Sequence, residues 1–370
     1  MSDKESPNLS ITKEAPSKEN AGGIRPRTVA VGILSIVLLV GMLWLADPRK
    51  LLEILSGANL GIIGLVLLLY FTNVLTKGLR WYFLLRSSDQ RISFRTALSF
   101  VVVGLSVNSV TPGRIAGEPV KAYMLKEKTG LPFGSGLATV FTEKVMDLFV
   151  LATFAGVGLV LIVSLLPLTG GLILAVFIVL VILLLVTLVY LALHLSALDT
   201  LANWFVKIAS KIGRKPLPKW EKAVSGTINS FSDGFRSILG SRRVAATTFS
   251  LTVIIWLNEA FRVFLIMFAL AAGLVPFVGF VLVATSLASL LGSFAPGGTF
   301  NVALIAMVFN ASGVSISLAT TAGLLMTFTS IWILVPLGIA IVIRNAGKAR
   351  RVEEKKRLPV EVAKPSEAKE

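Results

Sequence analysis

Cysteine is absent from the chain, which excludes disulfides, thiolate metal centres and cysteine nucleophiles. Histidine is nearly absent: the single His194 closes an apolar run, where an interfacial residue is expected rather than a ligand. Charge is scarce, at 15% of residues, against roughly 25% in a soluble domain. The sequence contains no phosphate-binding loop, no His/Asp/Glu cluster at metal spacing and no Gly-x-Ser-x-Gly elbow. No cofactor and no enzymatic activity are therefore expected. Hydrophobic residues take the remaining space, at 55% of the chain. They fall in runs of about 20 or more, enough to cross a ~30 Å hydrocarbon layer. Strands of an outer-membrane barrel alternate polar and apolar over about 10 residues, whereas Leu172 to Leu193 is apolar on every face. The fold class that follows is an all-α polytopic membrane protein.

The net charge of +16 is unevenly placed. Lys and Arg gather in the N-terminal tail (Lys4 to Arg27), in the stretch 196–243 (Lys207 to Arg243) and beyond Arg344. Nucleic-acid binding would call for aromatics interleaved with the basic residues, and these clusters instead flank apolar runs. No nucleic-acid partner is expected. Cytoplasmic loops retain Lys and Arg and attract anionic headgroups. The expected partners are membrane lipids, and the expected location is the cell membrane, with multiple passes and both termini cytoplasmic.

The walk along the chain gives a tail over 1–27, a transmembrane domain over 28–343 and a basic tail over 344–370, both tails reading as disordered. The hydrophilic stretch before the first span is long for a signal peptide, so that span reads as a retained signal-anchor. Six crossings are expected, at about 28–46, 60–85, 137–166, 172–194, 244–273 and 317–343. Two further apolar segments are interrupted, at Thr111-Pro112-Gly113 and at Pro296-Gly297-Gly298. If both are re-entrant hairpins, every Lys/Arg-rich loop falls on the cytoplasmic side except the segment with Arg49 and Lys50, which Asp47 and Glu53 balance. If both span, the helices number eight. The halves, about 28–195 and 244–343, are joined by a basic cytoplasmic loop over 196–243. They also show a weak repeat: Lys77-Gly78-Leu79-Arg80 and Glu259-Ala260-Phe261-Arg262 each precede a Pro-Gly break by about the same interval. Three crossings separate the copies, which would invert the second, an architecture seen in transporters.

Charges within a bilayer cost about 2.5–3.5 kcal/mol each on insertion scales and persist where they meet a cavity, a partner or a substrate. The candidates are Lys77 and Arg80, then Glu143, Lys144 and Asp147, then Glu259 and Arg262. Glu143 and Asp147 are four apart and share a helix face. Arg80 lies near the cytoplasmic end of its span, so snorkelling to headgroups is an alternative role for it. Non-helical backbone at membrane depth survives only in a protein-lined or watered cavity. The stretch Pro112-Gly113-Arg114-Ile115-Ala116-Gly117-Glu118, with Lys121 beyond it, frees amides at a helix start beside two cations, a setting suited to an anion. A plain interfacial turn is the competing reading.

At these residues the chain resembles the lysylphosphatidylglycerol synthase transmembrane-region family, a family of flippase-like membrane proteins. The resemblance rests on Arg80-Trp81 ending a span, Pro112-Gly113-x-x-x-Gly117-Glu118, Glu143-Lys144 with Asp147, and Pro296-Gly297-Gly298 in the second half. It covers roughly residues 30 to 343. Two departures stand out. The family usually has Glu-Arg where this chain has Glu143-Lys144, and a Glu after the Pro-Gly-Gly turn where this chain reads Thr299-Phe300-Asn301. Multidomain members carry a soluble aminoacyl-transfer domain after the membrane region; with only a short tail here, lysyl transfer is not expected. The resemblance implies a lipid flippase for an anionic or glycosylated lipid. Arg80, Arg114, Lys121 and Arg262 would attract the headgroup, while Glu118, Glu143, Asp147 and Glu259 pair these cations or couple to ions. A membrane-embedded lipid-modifying enzyme, or an accessory subunit of one, is the alternative.

Overall fold

A computed structural model describes residues 48–87, 92–111, 116–165, 218–271, 277–292, 298–341 and 343–344, with single positions between 172 and 190. Helix is the dominant element, and no strand occurs among the described residues. A short helix α1 (Pro48–Ser56) starts at a proline, whose fixed φ suits a first helical turn. It leads into α2 (Leu60–Ser87), α3 (Phe94–Val110), α4 (Gly117–Thr129) and α5 (Phe133–Ile162). After α6 (Pro218–Gly240) come α7 (Arg242–Leu270), α8 (Val278–Leu291), α9 (Thr299–Ala311) and α10 (Ile316–Thr327). A π turn over Phe328–Trp332 continues α10, and the apolar helix runs on to Ile341.

Length separates two kinds of helix. At 1.5 Å per residue, α2, α5 and α7 measure roughly 40 Å or more and exceed a ~30 Å hydrocarbon core. Together with Ile316–Ile341 they are the four described helices long and apolar enough to cross. By contrast α3, α4, α8 and α9 reach only about 20–26 Å each and fall short singly. The order long, short, short, long therefore occurs twice, as α2-α3-α4-α5 and as α7-α8-α9-α10. Packing repeats with it: α2 against α3 and α7 against α8, α4 against α5 and α9 against α10.

The halves meet along α2 and α7. Arg262 reaches the Val66 carbonyl, Asn73 reaches Asn258 and Glu259, and Arg80 reaches Thr252. One number rises as the other falls, so α2 and α7 are antiparallel. Each short-helix pair follows the C-terminal end of its long helix, so the two pairs attach at opposite ends of this antiparallel couple. That is the geometry expected of an inverted repeat. The main core lies among α5, α7, α8, α9 and α10, around Met267, Ala284, Ile305 and Phe309. The outer face of α2 instead exposes Leu65, Leu68, Phe71 and Leu75, as a lipid-facing surface does.

The spans expected at 28–46 and 172–194 lie wholly or largely outside the described residues, as do Pro112, Gly113, Arg114, Pro296 and Gly297 and both tails up to residue 47 and after residue 344. The basic stretch 196–243 differs from a plain loop: its second half is α6. Ile228, Phe231, Phe235 and Ile238 recur at helical spacing, and such a stripe buries against a neighbour. Phe231 and Phe235 clasp Phe141 of α5 at centroid distances of 5.4 and 5.7 Å, and Ser135 donates to the Ser230 carbonyl at 2.9 Å.

Candidate functional site

Two charged clusters form within the helices, one from each half. In the first, Arg80 near the C-terminal end of α2 faces α5. Its Nε donates to Glu143 Oε1 at 3.2 Å and its Nη1 to Asp147 Oδ1 at 2.6 Å. Thr252 of α7 receives a third bond at 3.0 Å. Arg80 is 5% exposed, so its guanidinium does not snorkel outward. The planar fork holds three acceptors at once, which an ammonium cannot do in a fixed geometry. Glu143 and Asp147 lie one turn apart on α5 and present both carboxylates to it, as their spacing predicts.

Glu143 then extends the network to α4. Its Oε2 lies 2.8 Å from Lys121 Nζ, which also meets Glu118 Oε2 at 2.9 Å. Glu118 Oε1 takes Lys144 at 2.9 Å. Burial alone raises the Glu118 carboxyl, but Lys121 and then Lys144 outweigh it and hold the group far below the usual carboxylate range. Burial likewise lowers the Lys121 ammonium, and Glu118 and Glu143 reverse that and raise it. Lys144 is the outermost member, its side chain 55% exposed against 8% for Glu118. The Lys121 ammonium also sits 5.4 Å from the Trp81 ring centre. That indole is fully buried and donates to Thr139 at 3.1 Å.

The Gly117-Glu118 pair is placed by α3. Asn108 accepts from the Gly117 amide at 2.7 Å and donates to Glu118 Oε1 at 3.2 Å. A side chain at 117 would run into the Gly104 carbonyl, so this close crossing of α3 and α4 requires glycine. In the second half, Gly298 caps the start of α9 with φ 81°, a left-handed conformation that glycine adopts without strain.

The second cluster is tighter. Arg262 is 0% exposed, and its Nη1 meets Glu259 Oε2 at 3.0 Å. Nη2 donates to Thr329 at 3.2 Å and to Ser330 at 2.8 Å, both on the π turn, and Nε donates to the Val66 carbonyl. Tyr70 covers the guanidinium at 4.8 Å. Asn73 donates to Glu259 at 3.1 Å. A π turn re-aims side chains inside a helix and is frequent at functional sites.

Between the clusters lies a cavity of about 180 Å³. The first half contributes Lys77, Arg80, Asn108, Glu118, Lys121, Glu143, Lys144 and Asp147 to its walls. The second half adds Trp256, Glu259, Ser289, Asn301, Thr327 and Ser330. Arg262 is not among the lining residues; it stands behind Glu259. Gly117 and Gly298 shape the backbone nearby rather than the wall. Of the candidates read from sequence, the structure thus brings together Lys77, Arg80, Glu118, Lys121, Glu143, Lys144, Asp147 and Glu259. Asn108, Thr252 and Trp256 were not singled out by the sequence. Trp256 donates to Asp147 Oδ1 at 2.9 Å. A tryptophan three residues before Glu259, and an asparagine inside the short apolar α3, are the signals that mark two of them.

The chain is similar to a UPF0104 membrane protein of Methanothermobacter thermautotrophicus, 27% identical over 84% of this chain and 93% of the relative. A UPF0104 membrane protein of Pyrococcus horikoshii is likewise 27% identical, over 85% of this chain and 96% of that one. Glycosyltransferase AglD of Haloferax volcanii is 30% identical over 155 residues, which are 40% of this chain and 24% of that protein. Residues 32–338 match the family described as the lysylphosphatidylglycerol synthase TM region, and the chain belongs to that family.

Proposed function

We propose that the chain moves an anionic or glycosylated lipid between the leaflets of the cell membrane, with both termini on the cytoplasmic side. The observation that carries this reading is the cavity between the clusters, walled by four cations and four carboxylates amid helices long enough to cross a bilayer. A headgroup crossing a hydrocarbon layer needs such a polar stepping place, because desolvating its charge unaided is costly. The two short-helix pairs, attached at opposite ends of α2 and α7, would gate it alternately. The sequence contains no ATP-binding motif, so uphill movement would draw on an ion gradient or a partner. Fluorescent-lipid leaflet exchange in proteoliposomes tests the proposal: exchange faster than in empty vesicles is expected, and an equal rate sinks it.

The match to glycosyltransferase AglD favours a second reading, in which the domain serves a lipid-modifying system as enzyme or accessory subunit. New lipid products on incubation with membrane extract, without leaflet exchange, would favour that reading.

A further inference from the structure

Lys77 is the cation that the charged network leaves over. It lines the cavity from α2, one turn before Arg80. Among the described residues it makes no ion pair and no hydrogen bond. The carboxylates that share the cavity wall with it, Glu259 and Asp147, are already held by Arg262 and Arg80. The two clusters with Lys77 contain five cations (Lys77, Arg80, Lys121, Lys144, Arg262) and four carboxylates (Glu118, Glu143, Asp147, Glu259). Among the described residues one cationic side chain therefore has no carboxylate of its own, in a place where an unpaired charge is costly.

The opposite wall is also unfinished. Asn301 Oδ1 and Thr327 Oγ1 are buried without a hydrogen-bond partner, and both residues line the cavity. Buried polar atoms left unpartnered in this way commonly mark a place where a ligand or water completes the set. Asn301 lies in the stretch after Pro296-Gly297-Gly298, and its side chain there is a neutral amide.

We propose that Lys77 is the specificity-determining residue of this cavity and binds one negative charge, that of a phosphodiester lipid headgroup. A phosphodiester carries a single charge near neutral pH, which matches the excess of one. A zwitterionic headgroup brings its own ammonium and matches it less well. This inference rests on the reading of the cavity as a headgroup site.

The test is binding to the purified full chain in non-ionic detergent, read by tryptophan emission because Trp256 lines the cavity. The probes are dihexanoyl phosphatidylglycerol, dihexanoyl phosphatidylcholine and acyl-free glycerophosphoglycerol. Wild type is expected to bind the glycerol lipid at least tenfold more tightly than either other probe. Lys77→Arg should retain that preference and Lys77→Gln should abolish it. Lys77→Gln should also unfold at the same temperature or higher, because it removes a cation that has no partner. Equal binding of the two lipids, unchanged binding by Lys77→Gln, or a lower unfolding temperature for that variant would overturn the assignment, the last by making Lys77 structural. Equal binding of glycerophosphoglycerol would overturn the lipid as source of the charge. Wild type that binds selectively but gives no leaflet exchange removes the flippase and leaves this assignment; exchange without headgroup selectivity does the reverse.

Discussion

The two halves carry the same kind of pair, a long-helix cation beside carboxylates, yet build different things with it. Around Arg262 each guanidinium nitrogen is met at close quarters, by Glu259, by Thr329 and Ser330, or by a backbone carbonyl, with Tyr70 as a lid. The result is a closed knot that fastens α7 to α2 and to the π turn. Around Arg80, which also holds Asp147, the network runs onward through Glu143 to Lys121, Glu118 and finally Lys144 at the rim. That is an open relay, graded from buried to half-exposed, and it faces the cavity. A knot fixes geometry, whereas a relay can exchange one partner for a ligand charge at small cost. A repeated helix pattern therefore need not repeat the role of its charges.

The comparison can be broken most forcefully at Arg80. Arg80→Met leaves Glu143 and Asp147 facing an apolar stub, and breaking a buried ion pair from one side costs about 3–5 kcal/mol. Thermal unfolding in detergent should show a loss of that order, and Arg80→Lys should recover only part of it, because an ammonium cannot hold Glu143, Asp147 and Thr252 together. A loss below about 1 kcal/mol would mean that the relay is ornamental to the fold.

Thr329→Val probes the knot without touching the cavity wall. It removes one acceptor from Arg262 and should cost about 1.5–3 kcal/mol, as hydrogen bonds to charged groups do. Leaflet exchange per folded molecule should stay at the wild-type rate. Slowed exchange at unchanged stability would erase the distinction between the two clusters.

Lys144→Ala touches the relay at its exposed end. Its pair with Glu118 is half in solvent, so the stability change should lie below about 1 kcal/mol and shrink further in high salt. The smallest effect is expected from pH. Glu118 has a carboxyl depressed below its unfolded value of 4.5, so its contribution is fully present above that value and is lost only as pH falls through the lower folded value. Unfolding temperature followed from pH 8 to 5 should therefore show no step from this group; a step removed by Glu118→Gln would contradict the geometry.

Much of this was legible in the sequence. The long helices α2, α5 and α7 follow from uninterrupted apolar runs, and the spacing of Glu143 and Asp147 already placed two carboxylates on one face. The repeat was legible as a spacing, since both halves place a charged motif ahead of a Pro-Gly break. Partnership across helices was not: Asn108 and Trp256 stand out locally, but which residues they and Thr252 meet is set by packing between distant helices. The separate fates of Arg80 and Arg262 were hidden for the same reason: each is a span cation three residues after a charged neighbour, and only their surroundings differ. α6 was obscured by its Lys and Arg, although its apolar stripe was present at helical spacing.

In the proposed function the open relay, not the knot, handles the headgroup. Leaflet exchange of fluorescent phosphatidylglycerol in proteoliposomes tests it most directly, with wild type and Glu118→Ala reconstituted at matched folded protein. Exchange by wild type well above empty vesicles and at least a tenfold loss in Glu118→Ala are expected. Wild type and Glu118→Ala both moving lipid at the empty-vesicle rate, or both moving it equally fast, would contradict it.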